Sequence, residues 1–335
     1  MRKMKKITSL VLAAALACAT LTGCGNGQQS GETAGDEKKG TYKIGVCQLV
    51  KHAALDASYE GFVAGLAEAG YVEGENITID YQNAQGEASN CNTIANKLVN
   101  DDVDLMFAIA TQAAQSCANA SSDIPIVITA VTDPETSGLV QSNEAPGTNV
   151  TGTSDLNPIK EQVALLQQLV PEAKHVAILY CSSESNSAVQ AGLAKKEFEA
   201  VGITTEEATV SNSNEIQQVV QSLVGKVDAI YAPTDNVIAA GMANVAMVAN
   251  ENNLPVICGE ENQVKEGGLA TYGIDYYKLG YQTAAQAVKI LKGEAVPAEM
   301  PIEYQTEELK LSINQEVADK LGITIPDELK EQMAE

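Results

Sequence analysis

Hydroxyls, amides and carboxylates in this 335-residue chain gather in the short segments that follow apolar runs. They include Leu55 and Asp56 within 50–56, Ala110-Thr111-Gln112, Thr132-Asp133, Ser183-Glu184-Ser185-Asn186, Asp235-Asn236, Glu260 and Asp275-Tyr276. Several of these segments open helices, where free backbone N–H groups make an anion site. Thr111 heads one such helix; Ser183, Ser185 and Asn186 head another, and both suit a ligand carboxylate. Asp133, Asp235, Glu260 and Asp275 suit an amine. Taken singly, a Thr, Ser, Asn or Asp before a helix is an ordinary cap. Their expected convergence on one cleft is what points to binding, and the chemistry is that of holding a small zwitterion.

What is absent narrows the ligand further. The only arginine is Arg2, so the bidentate clamp favoured for phosphate, sulfate or a dicarboxylate is missing. Among these segments the only lysine is Lys51. There is no Trp, and Phe62, Phe107 and Phe198 fall in predicted helices or mid-strand, which disfavours a sugar stacked on a ring. Tyr276 and Tyr277 fit either a site wall or a helix core. No GxSxG, HExxH, GxxxxGK[ST] or GxGxxG motif occurs, and neither a cofactor nor a metal is expected. His175 begins a strand and reads as structural; His52 stands in the first polar segment, facing ligand or solvent. Cys47, Cys91, Cys117, Cys181 and Cys258 have no metal-ligand spacing and read as buried thiols; no disulfide pairing is deducible from them.

The elements that must position these residues come in a doubled pattern. Val103-Asp104-Leu105-Met106-Phe107-Ala108-Ile109-Ala110-Thr111 is matched by Val227-Asp228-Ala229-Ile230-Tyr231-Ala232-Pro233-Thr234-Asp235, with similar flanking strands at Lys43–Cys47 and His175–Leu179. Short apolar runs alternating with helical stretches are βαβ units. The fold class is therefore α/β, two similar doubly wound lobes. Strands are expected at 42–47, 76–81, 105–109, 126–129, 149–152, 175–180, 203–208, 228–232, 255–258 and 269–272. Among the helices, one is expected to open with Asn157 as its cap and another to run unbroken over 236–250. A return helix over 276–291 and a capped helix over 314–321 close the chain. In doubly wound sheets the functional loops lie beyond the C-terminal strand ends.

The first residues stand apart. Arg2, Lys3, Lys5 and Lys6 precede the apolar run Ile7–Leu21, which is too short for an ordinary membrane helix. Leu21-Thr22-Gly23-Cys24 resembles the lipobox of bacterial lipoproteins. That resemblance implies a signal peptide over 1–23, lipid on Cys24 and a flexible tether over 24–40. The formal net charge of −23 becomes more negative once those basic residues are removed, and argues against nucleic acid.

The blocks His52-Ala53-Ala54-Leu55-Asp56, Gly61-Phe62-Val63-Ala64-Gly65-Leu66, Ala108–Gln115, Ala130–Pro134, Asn149–Asp155, Ser183–Ser187, Pro233–Asn236 and Gly273–Tyr277 resemble, over about residues 43–326, the ABC-transporter substrate-binding proteins that include tryptophan- and tyrosine-binding lipoproteins. Ala53 and Gln112 stand where that family usually carries proline. The resemblance implies a type I periplasmic-binding-protein fold with three crossings, near 153–157, 272–275 and 297–303. Lobe 1 would comprise 41–154 plus 275–299, and lobe 2 155–274 plus 300–335. It also implies an extracytoplasmic, lipid-anchored monomer that closes on a hydrophobic or aromatic amino acid and delivers it to an ABC permease with its ATPase. A ligand sensor for a signalling partner and a two-lobed enzyme are the other readings open to this scaffold.

Overall fold

The computed structural model describes residues 41–305 and 309–333; the expected signal peptide, Cys24 and tether lie outside the described residues. The first sheet holds β1 (Tyr42–Gln48), β2 (Ile77–Asn83), β3 (Leu105–Ile109), β4 (Ile126–Val131) and β5 (Val150–Ser154) in the order β2-β1-β3-β4-β5, every pairing parallel. Strands β3 and β4 are buried at every position, as expected for a parallel sheet covered on both faces. Helices α1 (Ala53–Glu68), α2 (Ala88–Asn100) and α3 (Thr111–Ala120) cover it. Phe62 of α1 stacks on Phe107 of β3, ring centroids 3.8 Å apart.

After α4 (Ile159–Leu169), the second sheet is built from β6 (His175–Cys181), β7 (Thr204–Val210), β8 (Ala229–Ala232), β9 (Val256–Cys258) and β10 (Ala270–Gly273). Helices α5 (Ser185–Ala200), α6 (Ile216–Leu223), α7 (Asn236–Ala240), α8 (Met242–Glu251) and α9 (Glu261–Lys265) lie between them. The chain then forms α10 (Tyr276–Leu291), β11 (Lys310–Ile313), α11 (Gln315–Leu321) and α12 (Asp327–Met333). The sheet order is β11-β10-β9-β8-β6-β7, with β11 the antiparallel edge. Two apolar cores flank this sheet, one against α4 and α5, the other against α6 and α8.

The doubled sequence pattern does the same work twice at the base of each sheet. Asp104 Oδ2 accepts the backbone N–H of Lys43, and Asp228 Oδ2 accepts those of Lys174 and His175. Each aspartate pins the start of the lobe's first strand. The two N–H groups it accepts hold the Asp228 carboxyl below the usual carboxylate range.

Helix α10 returns to the first lobe and packs on α1 at a distance only glycine permits. A Cβ on Gly61 would stand 1.9 Å from the Tyr277 carbonyl oxygen, and one on Gly280 1.9 Å from that of Ser58. Leu279, Ala284, Ala287 and Leu291 thereby join the core of β1–β5.

Two expectations need correction, and two further features lie near the end of the chain. The helix expected over 236–250 breaks at Gly241, because the chain bends where a Cβ would meet Ile216 Cδ1 at 2.4 Å. Asn157 does not cap α4: its side chain turns back to the Asp155 carbonyl, and the helix begins after Pro158. The stretch 310–313, for which the sequence suggested no element, is a strand that completes the second sheet. Beyond Glu299, Ile302 packs in the core of β1–β5, and Glu303 donates its backbone N–H to Gly152 and accepts that of Ser154.

Candidate functional site

A small cavity, about 20 Å³, lies between the C-terminal ends of the two sheets. The first sheet's lobe contributes His52, Ala54 and Leu55 at the head of α1, and Ala130 and Thr132 at the end of β4. The second contributes Asn186, Thr234, Asp235, Asn236, Ala239 and Glu260. Asp155, on the first passage between the sheets, and Tyr276, at the start of α10, complete the wall.

Among the described residues, three hydrogen bonds cross the cleft. Gln112 Nε2 donates to the Ser183 carbonyl at 3.0 Å, Gln190 Nε2 to Thr132 Oγ1 at 3.3 Å, and His52 Nε2 lies 3.3 Å from Asn236 Oδ1. The last contact has a fixed polarity. Asn236 Nδ2 donates to Glu184 Oε2 at 2.7 Å, so its Oδ1 must face His52 and Nε2 carries the imidazole proton. His52 Nδ1, buried and without a partner, is then an acceptor. Burial lowers the His52 pKa, which keeps the ring neutral.

The acids of the site differ in what already occupies them. Asp235 Oδ1 caps α7 through Ile238 N, and its Oδ2 accepts Cys181 N at 2.6 Å. Glu260 caps α9 through Asn262 N and Gln263 N. Its loop is held by Gln162, which donates to the Gly259 and Tyr272 carbonyls and accepts from Tyr231 Oη. Glu184, buried behind the wall, accepts Asn236 N and Val237 N. Asp155 accepts Tyr276 Oη on Oδ2 at 2.8 Å, but its Oδ1 has no partner of normal geometry. Burial raises the Asp155 carboxyl to about 6 and that of Glu260 to about 7. It also raises Glu184, which carries Asp235's charge beside it, and Asp235 itself.

These shifts set the sign of a stability–pH dependence. A carboxyl raised in the folded state contributes stability below its unfolded pKa, near 4, and loses it as pH climbs through the folded value. For Asp155 and Glu260 that window runs from about 4 to about 7. The ligand-free protein is therefore expected to resist urea better at pH 5.5 than at pH 8, by on the order of a few kcal/mol. Equal urea midpoints at the two pH values would remove the basis for a strained acidic cavity.

Of the residues singled out in the sequence, His52, Leu55, Thr132, Asn186, Asp235, Asn236, Glu260 and Tyr276 line the cavity. The others do not. Asp133 turns into its own loop, accepting from Thr136 and from Asn143 Nδ2. Asp275 caps α10 through Lys278 N, and Asp56 accepts Gln48 Nε2. Thr111 is buried with its hydroxyl unpartnered, Gln112 and Ser183 bond to each other across the cleft, and Ala110 and Ser185 begin helices α3 and α5. Tyr277 is solvent-exposed on α10. Asp155 and Ala239 were not anticipated as parts of the wall, whereas Ala130 and Thr234 lie in segments expected to reach the cleft. Asp155 directly follows β5, so the rule that selected the other polar strand-ends would have found it.

The five cysteines of the described region are free and buried. Among the described residues no cluster of His, Cys, Asp and Glu could hold a metal, and no helix is long and apolar enough to cross a membrane.

The family model for ABC transporter substrate binding proteins matches residues 43–335. A tyrosine-binding protein of Clostridioides difficile is 43% identical over 333 residues, covering 96% of this chain and 94% of that protein. An ABC domain from Streptococcus pneumonia, solved in complex with L-Trp, superposes with a TM-score of 0.84 at 40% identity, over 87% of this chain and 98% of that one. The ligand-free, open structure of a substrate binding protein with adhesive properties from Clostridium difficile is 45% identical over 85% of this chain and 96% of that one, yet its TM-score is 0.67. A match spanning nearly every described residue, on two parallel-sheet lobes around a shared cavity, places this chain in the ABC transporter substrate-binding protein family, with a type I periplasmic-binding-protein fold and a binding rather than an enzymatic role.

Proposed function

We propose that this protein is the extracytoplasmic receptor of an ABC importer, holding an aromatic L-amino acid between its lobes by hinge closure. The observation that carries this reading is the enclosed interlobe cavity, whose wall combines Asp155, Asp235 and Glu260 with small apolar groups and no Lys or Arg. A buried acidic wall of that kind favours a ligand bearing an ammonium group. Ala54, Leu55, Ala130 and Ala239 give the wall an apolar part for a side chain, and the aromatic ligands named for the two relatives support the choice. Free N–H groups at the head of α1, beside Ala54 and Leu55, are available to the ligand carboxylate.

In this reading the boundaries between lobes fall at 155–158, at 274–275 and after Glu303. Opening about those passages breaks the Gln112–Ser183, Gln190–Thr132 and His52–Asn236 contacts. Lipid on Cys24 would keep the receptor at the membrane surface beside its permease. A thermal-shift panel of the amino acids, with sugars and phosphate esters as controls, should show stabilisation by L-tryptophan or L-tyrosine. At a hundredfold excess over Kd the added stability is about 2.7 kcal/mol. Stabilisation by a sugar and by no amino acid would falsify the proposal.

A further inference from the structure

We infer that Asp155, on the first passage between the lobes, is the residue that anchors the ligand's ammonium group, and that through Tyr276 it ties that anchor to the second passage as well. This inference rests on the amino-acid reading above. It names the contact on which specificity for an amine depends.

The assignment follows from occupancy. Three carboxylates line the cavity, and two are already committed to the protein's own backbone. Glu260 holds the first N–H groups of α9 with both oxygens, and Asp235 spans Ile238 N and Cys181 N. Asp155 alone keeps an oxygen, Oδ1, buried and unpartnered. Its Oδ2 takes the Tyr276 hydroxyl, and its backbone N–H is bound to Val131 O at the end of β4, so the carboxyl group is fixed from two sides. The Thr132 hydroxyl lies close enough to favour the anion. A buried acceptor with one open oxygen calls for a donor, and an unneutralised buried anion calls for a cation. An ammonium group supplies both; an indole N–H or a phenol supplies only the first.

The charge environment agrees on every side. The titratable groups facing the cavity are His52 from α1, Asp235 from α7, Glu260 from α9 and Tyr276 from α10, with Glu184 of the α5 loop behind Asp235. His52 is neutral and offers a lone pair on Nδ1, so no cation among them neutralises Asp155. Because Asp155 belongs to one passage and Tyr276 begins the helix after another, a ligand gripped there is held at the hinge itself. The ammonium contact forms without either lobe having to supply it alone.

Titration calorimetry at pH 7.5 tests this with L-tryptophan, L-tyrosine and indole-3-propionate, which lacks the amine. Asp155→Asn should weaken binding of both amino acids by roughly a hundredfold, the scale of breaking one side of a buried charge pair. It should leave indole-3-propionate binding unchanged or tighter, since a repulsive carboxylate is gone. A loss that is equal for ligands with and without the amine, or no loss at all, overturns the assignment. The pH profile provides a second readout. Protonation of Asp155 from about 6 downward should weaken wild-type binding by up to about tenfold per pH unit, a slope that Asp155→Asn flattens. Tyr276→Phe removes the donor on Oδ2 and should move the onset of that fall to higher pH; an unmoved onset counts against the Tyr276 link. If the wild-type chain binds neither amino acid, the receptor reading itself fails. If it binds them and Asp155→Asn binds them equally well, only the anchor is wrong.

Discussion

Gly280→Ala should destabilise the protein by roughly 3 kcal/mol or more, although alanine is the better helix former by about 1 kcal/mol. The added methyl would stand 1.9 Å from the Ser58 carbonyl oxygen, a backbone atom that moves only if α1 moves. Separating α1 from α10 loosens the packing of Phe62, Leu66, Leu279 and Ala284 in one core. Gly192 supplies the control. It lies in the middle of α5, exposed, with open space where a Cβ would stand. Gly192→Ala should therefore stabilise the chain by about 1 kcal/mol through propensity and unfolded-state entropy. Urea denaturation of the two variants should give shifts of opposite sign. A Gly280→Ala variant as stable as the parent would mean that the helices do not meet at that distance in solution.

The second large effect is expected at Asp235. Asp235→Ala strips the cap from α7 and leaves Ile238 N and Cys181 N without their acceptor inside the protein. Each orphaned N–H costs about 1–3 kcal/mol. Opposing that, the variant relieves Glu184 of a like charge in a buried setting, and the relief grows as pH rises because both carboxyls are raised above their ordinary values. The net loss should thus be roughly 2–4 kcal/mol at pH 6 and visibly smaller at pH 8. Amino-acid affinity should fall at least tenfold at both, since Asn236 and through it His52 are placed by the same turn. Urea midpoints at the two pH values, with calorimetry alongside, read this directly. An identical loss at both pH values would show that Glu184 and Asp235 do not compete.

Much of the architecture was legible in the sequence because parallel strands buried on both faces are nearly unbroken apolar runs. Leu105–Ile109 and Ile126–Val131 announce themselves in that way, and the return helix Tyr276–Leu291 has the boundaries expected from its periodicity. Edge elements were harder. Lys310–Ile313 has one neighbour in the sheet and alternates exposed with buried residues, so it carries half the apolar signal. The break at Gly241 was invisible because its cause, Ile216, belongs to another helix.

The site was legible to the level of loops and not of atoms. Polar residues after strands do converge on one cavity, but local sequence cannot distinguish a carboxylate facing the cavity from one consumed by its own helix. Asp275 and Asp133 satisfy N–H groups three residues ahead, whereas Asp155 has no helix start within that reach and keeps an oxygen open. Asn236 is the complementary case. Its amide is oriented by Glu184, fifty-two residues away, and that orientation decides what His52 can do.

The glycine contact between α1 and α10 also bears on the order in which the molecule can be made. The residues that meet there are roughly two hundred positions apart, with the whole second sheet except β11 encoded between them. As the chain emerges, β1–β5 must wait with the α10-facing side of α1 uncovered until residue 291 has appeared. The second lobe meanwhile has nearly all of its strands in hand. The lobe that begins first is thus the one that can finish only near the end. Its bare glycine-lined helix face is the surface most open to a wrong partner in the interval.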